Sequence, residues 1–181
     1  MSDTFDITVI CVVPSYLGTI EDKYKTRKYY FENINGINVL RIRVPEFSKT
    51  DKVSRVKNIL GYFFGAMAAT FKVGKQDYVF SISQPPILGG LLGVWGKWIK
   101  HAKYIYNIQD FNPEQIMAVG YSKNKAILKL MMALDKFSCK RSDLVITVGR
   151  DLVETAKNRF KKNPPNVVMI NNWIDEKEIY P

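Results

Sequence analysis

The sequence predicts an α/β fold: a Rossmann-like, mostly parallel sheet with helices on both faces and an inserted β-hairpin. Apolar runs ended by turn residues alternate with longer segments of helical periodicity. Residues 7–13 (ITVICVV) form a continuous β-branched run, which is typical of a strand covered on both faces. Asn35-Gly36 separates two alternating segments, which indicates a hairpin.

The remaining elements follow from the same patterns. A polar segment, 48–51, offers helix N-caps, and apolar residues then recur at helical spacing as far as Phe71. Residues 15–28 are expected to form an exposed basic loop. Further strands are predicted at 78–83, 103–109, 144–148 and 167–170, and further helices at 87–100, 124–140 and 151–161. This alternation implies βαβ units with right-handed crossovers.

Composition indicates one folded domain over residues 1–181. The chain has 181 residues, of which 46% are hydrophobic, enough for one buried core. Its net charge of +10 favours an anionic partner, such as a membrane leaflet, although dispersed basic residues also fit a solvated surface. Two distant cysteines, a short acidic N-terminus and the lack of a secretory signal predict a cytoplasmic address.

Polar loops follow the predicted strands, and in open parallel sheets ligands bind beyond the carboxyl ends of the strands. We expect these loops to converge on one cleft. The candidate residues are Ser15, Tyr16, Gln84, Pro85, Asp110, Glu114, Arg150 and Asn172.

Two of these loops allow more than one interpretation. Asp110 and Glu114 flank Pro113. They could hold carboxylates over a cleft, as a general base or as hydrogen-bond acceptors for sugar hydroxyls, or they could form the acidic start of a helix. Arg150 either binds a phosphate or lies in an ordinary turn in which Asp151 is the N-cap.

The predicted helix ending at Phe71 also has two interpretations. Its basic start and wide aromatic face fit a helix lying on a membrane surface, and they fit core packing equally well. Gly90, Gly93 and Gly96 indicate close packing of the next helix against the sheet.

Several classes of site are disfavoured. His101 is the single histidine and only two cysteines occur, so no metal site is expected. No Gly-x-Gly-x-x-Gly or Walker loop is present, so we expect no bound cofactor. Nucleic-acid binding is disfavoured because the basic residues are dispersed and no recognised motif occurs.

An ordered set of blocks resembles glycosyltransferase family 4, especially transferases of bacterial capsule, colanic-acid-type exopolysaccharide and O-antigen synthesis. The blocks are 29–44, Gln84-Pro85-Pro86, IQDFNPE at 108–114, VGRDLV at 148–153 and INNWID at 170–175. The resemblance implies the acceptor-side, N-terminal domain of a GT-B fold, ending at an interdomain linker near 172–181. It implies a retaining transfer, without an obligatory metal, from a nucleotide-sugar to a saccharide acceptor, often lipid-linked at the cytoplasmic leaflet.

The same resemblance implies that Asp110 and Glu114 line the cleft as catalytic residues, with Gln84 and Pro85 beside them and Asn172 at the hinge side. The family's Glu-x7-Glu donor signature does not occur here. The family's pattern also implies that its first strand–loop–helix unit is missing before residue 7. We therefore expect donor binding by a missing C-terminal domain and no activity from this chain alone. The alternative is a noncatalytic domain that binds membranes or polyanions.

Overall fold

The computed structural model describes residues 4–15, 18–48, 50–114, 124–160 and 162–172. The chain divides into two compact units, Met1–Lys75 and Gln76–Pro181. Each unit has its own sheet.

The first unit contains a mixed sheet and one long helix. Its elements are β1 (Thr8–Val12), a short 3-10 helix (Asp22–Tyr24), β2 (Tyr29–Ile34), β3 (Ile37–Ile42) and α1 (Lys52–Thr70). The strand order is β1-β3-β2, with β1 and β3 parallel and β2 and β3 antiparallel. The mixed character comes from the hairpin that the sequence predicts.

Asn35 and Gly36 form the hairpin turn. Both have positive φ angles, 51° and 82°, and Ile34 pairs with Ile37 on either side of them. A two-residue turn with both φ angles positive matches the twist of the flanking strands, and Asn and Gly tolerate this backbone region best. The predicted hairpin is confirmed.

The segment 15–28, which we expected to form an exposed loop, is partly buried. Ile20 and Tyr24 are buried with Val13 in a small apolar cluster, against which Tyr30 packs. The Tyr24 hydroxyl donates to Glu32 Oε1 at 2.7 Å. The segment therefore contributes a small core to the first unit.

α1 begins at the predicted cap and packs through small residues. Asp51 accepts hydrogen bonds from the amides of Val53 and Ser54, both at 3.0 Å. A Cβ atom added at Gly65 would lie 2.7 Å from Ile42 Cγ2, so the helix backbone approaches β3 closely. The buried residues of α1 are Gly65, Ala66, Ala69 and Thr70.

Several large apolar residues of α1 lie on its outer side. Five of them are exposed by 44–64%, namely Val53, Val56, Leu60 and Phe64 together with Phe71 at the C-cap. At 3.6 residues per turn they align in one stripe, opposite the buried face. The interpretation that these five residues pack in the core is therefore wrong for the described residues.

The second unit contains a parallel sheet flanked by helices, as predicted. Its elements are β4 (Tyr78–Ile82), α2 (Leu88–Lys100), β5 (Lys103–Ile108), α3 (Lys125–Arg141), β6 (Leu144–Thr147), α4 (Arg150–Arg159) and β7 (Val167–Met169). The order is β4-β5-β6-β7, and every neighbouring pair is parallel. The α/β class and the mostly parallel sheet are confirmed.

Tyr104 and Tyr106 of β5 are at the centre of the second core. Both are fully buried, and their rings stack with centroids 5.8 Å apart. Val94 of α2, Cys139 of α3 and Ala156 of α4 belong to the same buried cluster. The helices thus cover the sheet face that carries these two tyrosines.

The glycines of α2 allow the close packing predicted from their spacing. A Cβ atom at Gly93 would lie 2.1 Å from the ring of Tyr104, and one at Gly90 would lie 2.8 Å from the Tyr106 hydroxyl. The helix backbone therefore rests directly on the tyrosine layer. Among the described residues, no helix has the length and apolarity needed to cross a bilayer.

Candidate functional site

The loops after β4, β5, β6 and β7 lie at the carboxyl ends of the parallel strands of the second unit. Parallel strands place these ends at one edge of the sheet, where ligands bind in folds of this class. We call this set of loops the rim: 83–87, 109–114, 148–150 and 170–172.

The loop after β4 is anchored by Ser83. Its amide donates to the Asn107 carbonyl at 2.9 Å, and its buried hydroxyl accepts the Gln109 amide at 3.1 Å. Gln84 is exposed and Pro85 is half-buried beside it. The loop therefore offers the Gln84 amide group at the surface on a fixed backbone.

The backbone at Ile87 shows how tightly this loop turns into α2. Ile87 has φ 67° and ψ −48°, a region that β-branched residues rarely adopt. Such a conformation costs about 1–3 kcal/mol, and it persists where surrounding contacts enforce it. The Ile87 side chain is 5% exposed, and a Cβ atom at Gly89 would lie 2.1 Å from the Ile82 carbonyl oxygen. The loop has little freedom to move.

The loop after β5 carries the predicted carboxylates in different environments. Asp110 is exposed, whereas Phe111 and Asn112 are 3% exposed and Pro113 is fully buried. Asp110 is therefore exposed beside a buried anchor, and its role as a catalytic residue remains a prediction.

Glu114 is held by Arg159, the last residue of α4. Arg159 Nε donates to Glu114 Oε1 at 2.6 Å, and Nη2 donates to Glu114 Oε2, so the ion pair is bidentate. Nη2 also donates to the Asn112 carbonyl at 2.8 Å. The Glu114 side chain is 34% exposed, so part of it still faces solvent.

Arg159 contacts two further groups in the core. Its Nη1 donates to Asp135 Oδ2 of α3, and both side chains are 4% exposed. Its guanidinium carbon lies 4.2 Å from the centroid of the Phe111 ring. One buried cation thus joins the loop after β5 to both α3 and α4.

Asp135 is the most deeply buried carboxylate of this network. Burial raises its pKa, and the charge of Arg159 and the Tyr106 hydroxyl, which donates to Oδ1 at 3.1 Å, oppose that rise. Burial also raises the pKa of Tyr106, so its hydroxyl stays a donor. Each charged group of the network therefore has a hydrogen-bonding partner of opposite charge, which is what a buried charge requires.

Asn172 joins the loop after β7 to the loop after β5. Its Nδ2 donates to Gln109 Oε1 at 3.0 Å, and Gln109 Nε2 donates to Asn107 Oδ1 at 3.1 Å. The Ile170 amide donates to the Thr147 carbonyl at 2.9 Å. A chain of hydrogen bonds therefore runs along the rim from Ser83 to Asn172.

The loop after β6 differs in one detail from the prediction. Gly149, not Asp151, is the N-cap of α4, and its cap has no side-chain hydrogen bond. Asp151 lies in the first helical turn instead, where its charge complements the helix dipole. Arg150 is exposed on the rim.

Two predicted residues belong to the first unit. Ser15 is half-buried, and its carbonyl accepts the Gly18 amide at 2.9 Å. Tyr16 lies outside the described residues. The roles of Ser15 and Tyr16 remain predictions.

Sequence reasoning missed Arg159, Asp135 and Gln109. Arg159 was one of a run of basic residues, and its partner Glu114 lies 45 positions away. Asp135 gave a usable signal, because it is an acid within the mainly apolar stretch 130–139 of a predicted helix. A buried acid requires a cationic or hydrogen-bonding partner.

We predict that Arg159→Met lowers the free energy of unfolding by about 3 kcal/mol near neutral pH, because it leaves Asp135 buried without its cation. The pKa of Asp135 is higher in the folded protein than in the unfolded chain. The folded state therefore loses stability as the pH rises from the unfolded-state pKa through the folded-state pKa. Removing Arg159 raises that pKa further. The loss should therefore be smaller at pH 5 than at pH 8, as measured by urea unfolding.

Lys157→Met, an exposed change on the same helix, is the matched control and should shift stability by less than about 0.5 kcal/mol. Adding Asp135→Asn to Arg159→Met should recover part of the loss. A stability of Arg159→Met equal to that of the wild type at both pH values would contradict the assigned role.

Comparison with known proteins gives one distant relative. No protein-family model matches the chain. Over 148 residues the chain is 26% identical to the Probable glycosyltransferase WbjE of Pseudomonas aeruginosa, an alignment that covers 77% of this chain and 35% of that protein. The chain therefore spans about a third of the length of this relative. The similarity supports a glycosyltransferase.

Proposed function

We propose that this chain forms the acceptor-binding half of a retaining glycosyltransferase of family 4 that acts in bacterial surface polysaccharide synthesis. The observation that carries the proposal is the rim, where hydrogen bonds join the loops that expose Gln84, Asp110 and Asn172. Arg150 is exposed on the loop after β6. Carboxylate and amide groups of this kind hydrogen-bond the hydroxyl groups of sugars. The 26% identity to a probable glycosyltransferase supports the same conclusion.

The two carboxylates have different roles in this proposal. Asp110 is exposed, so we assign to it the contact with the reacting hydroxyl of the acceptor. Both oxygens of Glu114 accept hydrogen bonds from Arg159, so Glu114 also fixes the loop that presents Asp110. We assign its exposed part to the proposed acceptor cleft, with Pro85 and Gln84 on the neighbouring loop.

Asp110→Ala should weaken binding of a saccharide acceptor about tenfold or more, because it removes a hydrogen bond to a charged group worth about 1.5–3 kcal/mol. The measurement is saturation-transfer NMR titration with a panel of neutral oligosaccharides. Glu154→Ala, an exposed carboxylate change on α4, is the control and should leave affinity within twofold. Equal affinities for Asp110→Ala and the wild type would contradict the assignment.

We propose that the nucleotide-sugar donor is bound by residues outside this chain, since the Glu-x7-Glu signature does not occur here and the relative is about three times as long as the aligned region. Purified chain incubated with radiolabelled nucleotide-sugars and a lipid-linked saccharide should give no labelled product. Turnover by the chain alone would overturn this part of the proposal.

We also propose that the acceptor is lipid-linked and that α1 docks on an anionic leaflet. The outward stripe of Val53, Val56, Leu60, Phe64 and Phe71 is 44–64% exposed. Lys52, Arg55 and Lys57 accompany it, all of them exposed. An amphipathic helix of this kind lies in the membrane interface, and each basic residue near an anionic surface adds about 1 kcal/mol.

The double substitution Leu60→Asp and Phe64→Asp should reduce binding to vesicles that contain anionic lipid by at least about tenfold, because each side chain contributes about 1.5–3 kcal/mol when buried. The binding is measured by co-sedimentation with phosphatidylglycerol–phosphatidylcholine vesicles. Leu130→Asp on α3, a residue 60% exposed, is the matched control and should bind normally. If both variants bind as the wild type does, docking through α1 is excluded.

A further inference from the structure

A cavity with basic residues in its lining lies in the first unit. Its volume is about 520 Å³, and Ile20, Val44 and Pro45 provide its apolar walls. Val44 and Pro45 directly follow β3, so the cavity lies beyond the carboxyl end of that strand. This volume is in the range of small-molecule sites, about 300–1,000 Å³.

Three basic side chains line this cavity: Lys25, Lys28 and Arg43. Backbone carbonyls of this segment hold the side chains of Lys28 and Arg43. Lys28 Nζ donates to the Arg43 carbonyl at 2.9 Å, and the Arg43 amide donates to the Lys28 carbonyl at 2.9 Å. Arg43 Nη1 donates to the Lys25 carbonyl. The basic groups are therefore held in place before any ligand binds.

The positive charge of the cavity is only partly compensated. Glu46 is the one acid among the described residues that line it, and its Oε1 accepts the Ile20 amide at 3.0 Å. Lys25 pairs with Asp22 at 2.9 Å. Within the described residues neither Lys28 nor Arg43 forms an ion pair with a carboxylate. Burial, followed by the charge of Arg43, lowers the pKa of Lys28.

This cavity is attached to the helix that carries the apolar stripe. Asn58 Nδ2 of α1 donates to the Pro45 carbonyl at 2.7 Å. A Cβ atom at Gly61 would lie 2.7 Å from Pro45 Cδ, so the helix backbone rests on this wall. A lipid whose chain enters the interface beside α1 therefore has a basic cavity nearby for its headgroup.

We propose that this cavity binds the diphosphate group that links the acceptor saccharide to its lipid. The planar guanidinium of Arg43 matches two phosphate oxygens, and the Lys28 ammonium adds a point charge. A nucleotide-sugar also carries a diphosphate. The assignment of this diphosphate to a lipid therefore rests on the proposed function.

Inorganic pyrophosphate, titrated into the full chain by calorimetry, tests the site itself. Arg43→Gln and Lys28→Gln should each weaken binding about tenfold, and Arg43→Lys should lie between Arg43→Gln and the wild type, because it keeps the charge and loses the planar fork. Lys23→Gln removes one exposed charge outside the cavity and should change affinity less than twofold. Circular dichroism of each variant verifies folding. Unchanged binding by Arg43→Gln and Lys28→Gln, or equal weakening by Lys23→Gln, would overturn the proposal.

Two further measurements distinguish the source of the diphosphate. Pyrophosphate should compete with phosphatidylcholine vesicles that contain a long-chain alkyl diphosphate, and a nucleoside diphosphate should bind no more tightly than pyrophosphate. A nucleoside diphosphate that binds tenfold more tightly would overturn the lipid assignment. The two proposals fail in different measurements. If the proposed function is wrong, no saccharide binds at the rim, whereas pyrophosphate still binds in the cavity.

Discussion

The buried guanidinium of Arg159 is the interaction on which the rim of the second unit depends. It binds the carbonyl of Asn112, both oxygens of Glu114 and the carboxylate of Asp135. The side chains of Arg159 and Asp135 are both 4% exposed. Burying charged groups in this way is unfavourable unless each has hydrogen-bonding partners, and here each charge is paired with the other. The same contacts fix where the loop after β5 leaves the core, and so where Asp110 meets solvent.

Each of the two units has an exposed surface of distinct chemistry. The rim exposes hydrogen-bonding groups suited to saccharide hydroxyls, and it is rigid because Ser83, Gln109 and Asn172 are joined by hydrogen bonds. The first unit offers an apolar stripe on α1 and a basic cavity attached to that helix. The acceptor that we propose, a saccharide carried on a lipid diphosphate, has hydroxyl groups, an apolar chain and a diphosphate, which match these three kinds of surface.

Local chemistry made much of the fold predictable. Asn35-Gly36 specifies its turn because both residues tolerate positive φ, and Asp51 caps α1 through two backbone amides. Gly90 and Gly93 indicated close helix packing, which the tyrosine layer of β5 confirms. Periodicity could not reveal which side of α1 faces the sheet. Small residues make that contact, and the larger apolar stripe faces outward.

The site was less predictable because its contacts join distant parts of the chain. Strand ends correctly placed Gln84, Asp110 and Asn172 on one rim, since parallel strands deliver their loops to the same edge. The partners of Arg159 lie 24 and 45 positions away, and no local pattern encodes such a pairing. The buried cluster of Ile20 and Tyr24 was missed for a related reason: apolar side chains within a mostly charged loop give no periodic signal.

The most direct test of the central claim, that the rim is a saccharide-binding surface, is a backbone-amide chemical-shift map of the isotopically labelled chain titrated with an oligosaccharide acceptor. The account predicts the largest shifts at Gln84, Asp110 and Asn172, with little change on the exposed side of α3. Shifts scattered over other surfaces, or none at the rim at saturating sugar, would contradict it.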